Sequence, residues 1–474
     1  MQLTPDDVSA FLEGLLDDPA HLVAMSVPER KRLLMAAGRL ARPSKIDKKK
    51  RHRAHRKSNR DDKRAHDQAL MNKTQIRKLR ENPLFRTPKH NPDVRPPPPI
   101  GDTLFKRYCY CCRRSITEVH GFYDQMCVVC GDLNFAKRNQ VADLSGRIAL
   151  LSGGRLKIGF QAGVMLLRSG CRVIVTTRFP HDAAKRYSEL PDFEDFADRV
   201  EFVGIDLRQI GAVEGLAADL VDRLPRLDYL INNACQTVRR PPGFYNHLLV
   251  GEAAAAQLPS DVVALVKASP RRDAALTSAE LTQVPLLPED HADPAMFPVG
   301  QFDKDNQQID LREVNSWRLE MADVSAIELL EVHLVNAVAP FVLNARLKPL
   351  MAKVDTRDAH IVNVSAMEGQ FYRIFKTAKH PHTNMAKASL NMMTRTASLE
   401  YVDHGIHMNS VDTGWVTDED PIAHVERKKV EQRFHPPLDI VDGAARIVDP
   451  ILDGVNTGKH VWGQFLKDYK PTDW

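Results

Sequence analysis

Residues 146–180, GRIALLSGGRLKIGFQAGVMLLRSGCRVIVTTRFP, decide the fold. Ile148, Ala149, Leu150 and Leu151 form a short continuous apolar run, the composition of a strand covered on both faces. The segment Ser152-Gly153-Gly154-Arg155-Leu156-Lys157-Ile158-Gly159 follows as a turn. Beyond it, Ala162, Val164, Met165, Leu166 and Leu167 give the apolar content of a helix lying on a sheet. Ser169-Gly170 ends that helix, glycine being the residue that tolerates a left-handed terminus, and a second strand runs over 172–176. Glycines at 153 and 159 let backbone N–H groups approach an anion at a helix N-terminus, where unpaired donors and the dipole favour negative charge.

The chain downstream repeats this alternation. VEFVGIDL at 200–207, LDYLINNA at 227–234, HIVNVSA at 360–366 and GIHMNSV at 405–411 are strand-like, and helical patterns occupy 327–351 and 384–401. Alternation of this kind predicts a doubly wound, Rossmann-like α/β fold with a parallel sheet, its ligands at the carboxyl ends of the strands. About 75 residues, 236–310, interrupt it with scattered prolines and two weakly helical pieces, on the side where a substrate would enter.

Length and composition fit a multidomain globular chain. The protein has 474 residues, 43% of them apolar and 27% charged. No run of about 18 uncharged apolar residues is present, so no membrane partner is expected. The N-terminal segment lacks the basic start, apolar core and cleavage site of a secretory signal, which predicts an intracellular, cytoplasmic protein. The net charge of +5 is concentrated: residues 45–64 hold eleven Lys/Arg and three Asp, leaving the remainder at −3.

Four regions follow from this. Residues 1–44 form a helical module, with Val8, Phe11, Leu12, Leu15 and Leu16 on one face and a capping-box pattern at Ser26-Val27-Pro28-Glu29. Residues 45–100 are a basic segment, helical or disordered, followed by a proline-rich linker ending in RPPPPIG. Such a run is either a solvated arm or a contact for nucleic acid or another anionic partner. Residues 101–142 carry CYCC and CVVC, and residues 143–474 form the Rossmann-like domain, expected to bind a dinucleotide at its glycine turn. Cys109, Cys112, Cys127 and Cys130 make two Cys-x-x-Cys knuckles, which suits tetrahedral, closed, structural zinc. Cys111 competes with its neighbours as a ligand, and His120 is expected to be an ordinary turn residue.

From residue 143 onward the chain resembles the short-chain dehydrogenase/reductase superfamily. The motifs are the glycine turn, with Ser152 for threonine and Lys157 for the middle glycine; Asp206-Leu207; Asn232-Asn233-Ala234-Cys235 for Asn-Asn-Ala-Gly; Asn336; Ser365; Lys387; and Thr413-Gly414 for Pro-Gly. The resemblance implies hydride transfer between a nicotinamide cofactor and a carbonyl or alcohol of a small-molecule substrate, in a dimer or tetramer. Lys387 would hold the nicotinamide ribose, Ser365 orient substrate and Asn336 support a water relay. Gly153, Ile158, Gly159, Asp206, Asn233, Ala234 and Thr413 would line the cofactor.

The family's tyrosine, four residues before the lysine, is replaced by Thr383. A threonine hydroxyl is too weak an acid to replace a phenol near neutral pH unaided. Three alternatives follow: Tyr372 supplies the proton, His380 or His382 relays it, or the site binds dinucleotide without turnover and the chain acts as a sensor. Cofactor choice follows from charge. The second strand ends in Thr176-Thr177-Arg178, where an NAD site commonly has an acid, and Arg155 and Lys157 add positive charge, favouring NADP(H) over NAD(H).

Overall fold

The computed structural model describes residues 4–88, 91, 93–267, 275–291, 293–372, 376–417, 419–432 and 435–474. Two compact units emerge, one of residues up to Ala69 together with Thr103–Phe105, the other of Leu70–Asp102 and Lys106–Trp474.

The first unit is helical: α1 (Pro5–Asp17), α2 (Pro19–Ala24), α3 (Val27–Ala41) and most of α4 (Lys45–Asn72). Ser26 and Glu29 form the capping box reciprocally, the Glu29 carboxylate accepting from Ser26 N–H and Ser26 Oγ accepting from Glu29 N–H. The basic run is helix rather than coil. Asp67 in α4 accepts from the Leu104 and Phe105 N–H groups at 2.7 and 3.0 Å.

The second unit begins with α5 (Gln75–Glu81) and a ribbon of β1 (Asp102–Tyr108) antiparallel to β2 (Ser115–Glu118), followed by α6 (Val128–Arg138). The α/β body then runs β3 (Ile148–Ser152), α7 (Lys157–Arg168), β4 (Arg172–Thr177), α8 (Pro180–Ser188), β5 (Val200–Gly204), α9 (Ile210–Arg223) and β6 (Tyr229–Asn232). It continues with α10 (Asn246–Ala253), α11 (Ser260–Ala264), β7 (Val266–Lys267), α12 (Ala326–His333), α13 (Ala339–Met351) and β8 (Ala359–Ser365). The last elements are α14 (Pro381–Val402), β9 (Ile406–Asp412), α15 (Ile422–Gln432), α16 (Ile440–Thr457), β10 (Phe465–Lys467) and β11 (Lys470–Thr472).

The sheet order is β11-β10-β9-β8-β6-β3-β4-β5-β7, parallel except for β11. The chain winds outward from β3 through β4 and β5, then returns to β6 on the other side of β3. That reversal opens a crevice at the strands' carboxyl ends. Every residue of β3, β5, β6 and β8 is buried, matching the unbroken apolar runs of the sequence. One face packs α7 and α16 through Val164, Leu167, Ala444 and Ile447; the other packs α9 and α13 through Leu216, Leu220, Leu343 and Leu347.

Residues 326–351 are long and apolar enough, by length and composition, to cross a membrane. In this fold Ala339, Leu343, Leu347, Leu350 and Met351 of that stretch are buried against the sheet. Among the described residues the interruption at 236–310 holds α10, α11 and several short 3-10 turns, and it also lends the sheet its edge strand β7, paired with Phe202 and Val203.

Candidate functional site

The glycine turn sits at the end of β3, and its close contacts explain its composition. Gly153 has φ +71°, and a Cβ there would meet Ala234 Cα at 2.8 Å; a Cβ on Gly159 would lie 2.2 Å from Gly153 O and 2.4 Å from Asn233 Nδ2. Ser152 serves where the family has threonine: its Oγ accepts from the Asn233 and Ala234 N–H groups at 3.0 Å each. Asn233 Nδ2 in turn donates to the Ser152 and Gly153 carbonyls. Lys157 takes the middle-glycine conformation with φ +53°, a left-handed geometry that costs a β-carbon-bearing residue roughly 1–2 kcal/mol.

A cavity of about 380 Å³ opens over this turn. Gly153, Arg155, Lys157, Ile158, Gly159, Arg178, Asp206, Asn233 and Ala234 all line it. The three cations differ in their commitments. Arg155 is buried, packs on Phe179 and is tied to Asp182 at 2.7 Å. Lys157 faces the acidic groups of Asp305 and Glu419. Arg178 lies over the Tyr245 ring, 4.7 Å from its centroid, donates to its hydroxyl at 2.9 Å, and makes no ion pair with a described residue.

Asp206 is buried and clasped by Arg208, whose Nη1 also reaches Glu331 at 2.6 Å. Burial raises its carboxyl and the Arg208 pair more than offsets that, holding it below the usual carboxylate range. Arg208, Tyr245, Thr417 and Glu419 are cavity residues that the sequence reading did not single out. Arg208 stands two residues after the noted acid; Tyr245 lies in the interruption, where no motif marks it.

The second group of candidates lies apart from the cavity lining. Asn336 sits in a π-helical turn (Leu334–Val338) between α12 and α13 and clamps Gln236, accepting from its N–H at 2.7 Å and donating to its carbonyl at 3.1 Å. Ser365, at the end of β8, donates to the Lys387 carbonyl at 3.3 Å. Lys387 is buried in α14, and its Nζ donates to the Val364 carbonyl at 2.8 Å. Thr383, one turn earlier, is buried, and its Oγ1 has no partner among the described residues. None of Ser365, Thr383 and Lys387 lines the cavity, and Asn336 and Thr413 do not either.

The alternative proton donors are placed as follows. Tyr372 is 82% exposed. His382 is buried with Nε2 3.5 Å from Glu328 Oε1. His380 has φ +45° just before Pro381, stacks on Trp317 with centroids 3.8 Å apart, and meets Asn384 Oδ1 at 3.1 Å. Burial lowers the His380 pKa below its ordinary value.

The four cysteines converge. One Sγ from each of Cys109, Cys112, Cys127 and Cys130 lies within 4.8 Å of the others. Backbone N–H groups point at the sulfurs, Cys127 N to Cys109 Sγ at 3.3 Å and Cys130 N to Cys127 Sγ at 3.4 Å, an arrangement that stabilises thiolates. Cys111 is outside the cluster, with Asn134 Nδ2 3.8 Å from its sulfur. His120 accepts from the Phe122 and Tyr123 N–H groups through Nδ1, the turn role expected of it.

This module shares its core with the α/β body: Phe122, Tyr123, Met126 and Phe135 pack on Val416, Leu438 and Ile440. Tyr123 donates to Asp442 at 2.5 Å, Arg138 pairs with Asp439 and Asp442, and the Tyr110 hydroxyl accepts from Trp415 N–H at 2.9 Å.

Comparison with known proteins agrees with this architecture. The family model described as short chain dehydrogenase matches residues 147–247, and that described as Enoyl-(Acyl carrier protein) reductase matches 314–436. Protein R665 of Acanthamoeba polyphaga mimivirus, described as uncharacterized, is 32% identical over 359 residues, 73% of this chain and 71% of that protein. Bovine dehydrogenase/reductase SDR family member 13 is 30% identical over 147 residues, 28% of this chain and 38% of that protein. Among solved structures, an NADPH-bound carbonyl reductase from chicken fatty liver matches with TM-score 0.43 and 18% identity, covering 70% of this chain and 100% of that one. A Streptomyces avermitilis short-chain dehydrogenase matches with TM-score 0.40 and 17% identity, over 65% and 84% of the two chains.

Proposed function

Because the chain belongs to the short-chain dehydrogenase/reductase superfamily, we propose that it is an oxidoreductase acting with NADP(H) on a carbonyl or alcohol carbon of a small molecule. The observation that carries the choice of cofactor is Arg178, a cation at the end of β4 on the cavity wall, oriented by Tyr245 and forming no ion pair with a described acid. Guanidinium groups pair bidentately with phosphate, which is what distinguishes NADP(H) from NAD(H). The backbone at Gly153, Ile158 and Gly159 would receive the pyrophosphate, with Asn233 and Ala234 beside it. Asp206 and Arg208 would border the adenine end, Thr413 the nicotinamide end, and Lys387 would hold the ribose. Bound NADP(H) would supply or accept the hydride, and Ser365 and Lys387, adjacent to each other at the end of β8 and in α14, would orient the reacting oxygen and the ribose.

A second reading, a dinucleotide-sensing protein without turnover, is favoured by Thr383. Its hydroxyl stands where the family has a phenol, it is buried without a partner, and Lys387 spends a hydrogen bond on Val364. NADPH oxidation against a panel of carbonyl compounds, with Lys387→Ala as control and native mass spectrometry for bound nucleotide, separates the two. Turnover lost in Lys387→Ala supports the enzyme; tight NADPH binding without turnover in the wild type supports the sensor; no nucleotide binding rejects both.

The four-cysteine cluster fits a structural zinc ion, since four thiolates close a tetrahedral shell and leave no position for a substrate. A reducing, cytoplasmic setting suits such thiolates. Homo-oligomerisation is supported by Met385, Met392 and Leu399, exposed at seven-residue intervals along α14. The exposed basic face of α4 fits an anionic partner, nucleic acid included.

A further inference from the structure

At the amino ends of the strands, on the opposite edge of the sheet from the glycine turn, three histidines converge. His360 in β8 and His407 in β9 are direct register partners, and His460 arrives from the segment after α16. A ligand nitrogen from each lies within 4.8 Å of the other two, and the ring centroids are 5.0–5.2 Å apart. We propose that His360, His407 and His460 form a second metal site, a three-imidazole site for a divalent transition ion of the Zn²⁺ class.

The lone pairs are arranged for it. His407 Nδ1 lies 3.3 Å from the Ala359 carbonyl, which fixes the proton on Nδ1 and leaves Nε2 as the donor atom. His360 Nε2 and His460 Nδ1 face each other at 2.9 Å. In tetrahedral coordination with Zn–N of about 2.0–2.1 Å, ligand nitrogens stand roughly 3.3–3.4 Å apart. An ion therefore needs that pair to part by only about 0.4 Å.

The surroundings agree. Gly454 in α16 leaves the room, since a Cβ there would meet His460 Nδ1 at 2.6 Å and His360 Nε2 at 3.2 Å. Asp358 supplies nearby negative charge, but Arg147 and Thr356 occupy its oxygens, so among the described residues the ligands number three. His407 and His460 are half-buried, which leaves a fourth position to water. Imidazole sets of this kind bind Zn²⁺, Cu²⁺ or Ni²⁺ rather than Mg²⁺ or Ca²⁺.

The test counts zinc on the intact, full-length chain by native mass spectrometry after Zn²⁺ loading under reducing conditions. Two ions are expected in the wild type and one in each of His407→Ala and His460→Gln. Cys127→Ser identifies the ion held by the thiolates independently. Equal zinc content in the wild type and both histidine variants overturns the proposal, whatever the cysteine variant shows. Wild-type protein alone gives a second readout: histidine acylation mapped by peptide mass spectrometry. Zn²⁺ protecting His407 and His460 at least tenfold, with exposed His404 unaffected, supports the site, and unchanged reactivity rejects it.

Discussion

Arg178 rests on the face of Tyr245, its guanidinium carbon 4.7 Å from the ring centroid, while donating to the same residue's hydroxyl at 2.9 Å. An arginine in a loop is normally free to swing into solvent. Here an aromatic from the interruption at 236–310 holds it over the cavity above the glycine turn, so on the proposed reading a segment outside the motif-bearing fold would set the cofactor preference.

Replacing Arg178 by Ala removes a charge-assisted contact worth about 1.5–3 kcal/mol. NADPH affinity is expected to fall about 10- to 150-fold with little change for NADH. Tyr245→Phe keeps the stacking and loses only the hydrogen bond, so its NADPH penalty should be under tenfold. Isothermal titration with both nucleotides checks this; parallel losses for NADPH and NADH contradict it.

Lys157 has φ +53° at the start of α7. Glycine adopts that conformation freely and alanine does not, so Lys157→Gly should be more stable than Lys157→Ala by about 1 kcal/mol in urea unfolding. Equal midpoints for the two variants would mean that residue 157 is not left-handed in solution.

Burial pushes the Asp412 carboxyl up to about 6, despite Lys467 drawing it down. The folded state therefore holds this proton more tightly than the unfolded chain, whose pKa is near 3.9. The contribution to stability is complete below about pH 4 and is lost as pH rises through 6, on the order of 3 kcal/mol. Asp412→Asn should match the wild type at pH 4 and exceed it at pH 7.5, with the Met367 N–H still accepted by the amide oxygen. Thermal melts of both proteins across that range test it, and a constant difference between them would refute it.

Tyr110 stands in the cysteine turn and accepts from Trp415 N–H in the loop after β9. On the proposed zinc assignment, removing the ion should slacken that turn and, through this bond, the loop after β9. A strong chelator is expected to weaken NADPH binding in the wild type several-fold, and to weaken it less in Tyr110→Phe, where the link is already cut. Equal chelator effects in the two proteins would show that the module does not act through Tyr110.

The parallel sheet was legible because its strands are buried on both faces and leave unbroken apolar runs such as IALL at 148–151. The cysteine knuckles were legible because metal geometry constrains spacing locally. Strand β7 was not, since two residues at a sheet edge carry no periodic signal. Arg208, two residues after Asp206, belongs to no motif that marks it, and Tyr245 could not be assigned to the cavity from spacing, because its position depends on how the interruption folds back. The histidine triad is invisible for the same reason: its members lie 47 and 53 positions apart in the chain and meet only through β8–β9 register and the end of α16.

The shared core of the cysteine module and α16 sets an order of events during synthesis. Arg138 must wait for Asp439 and Asp442, 301 and 304 residues later, before its charge is answered, and Tyr123 waits still longer for the Asp442 carboxylate. At 5–20 residues per second the ribosome needs about 15–60 s to supply them. Through that interval the four thiols are already outside the ribosome while Leu438 and Ile440, which cover their neighbours, do not yet exist. Early capture of zinc would shield those thiols from oxidation until the last helix arrives, making the ion a guardian of the nascent chain as well as a brace of the finished one.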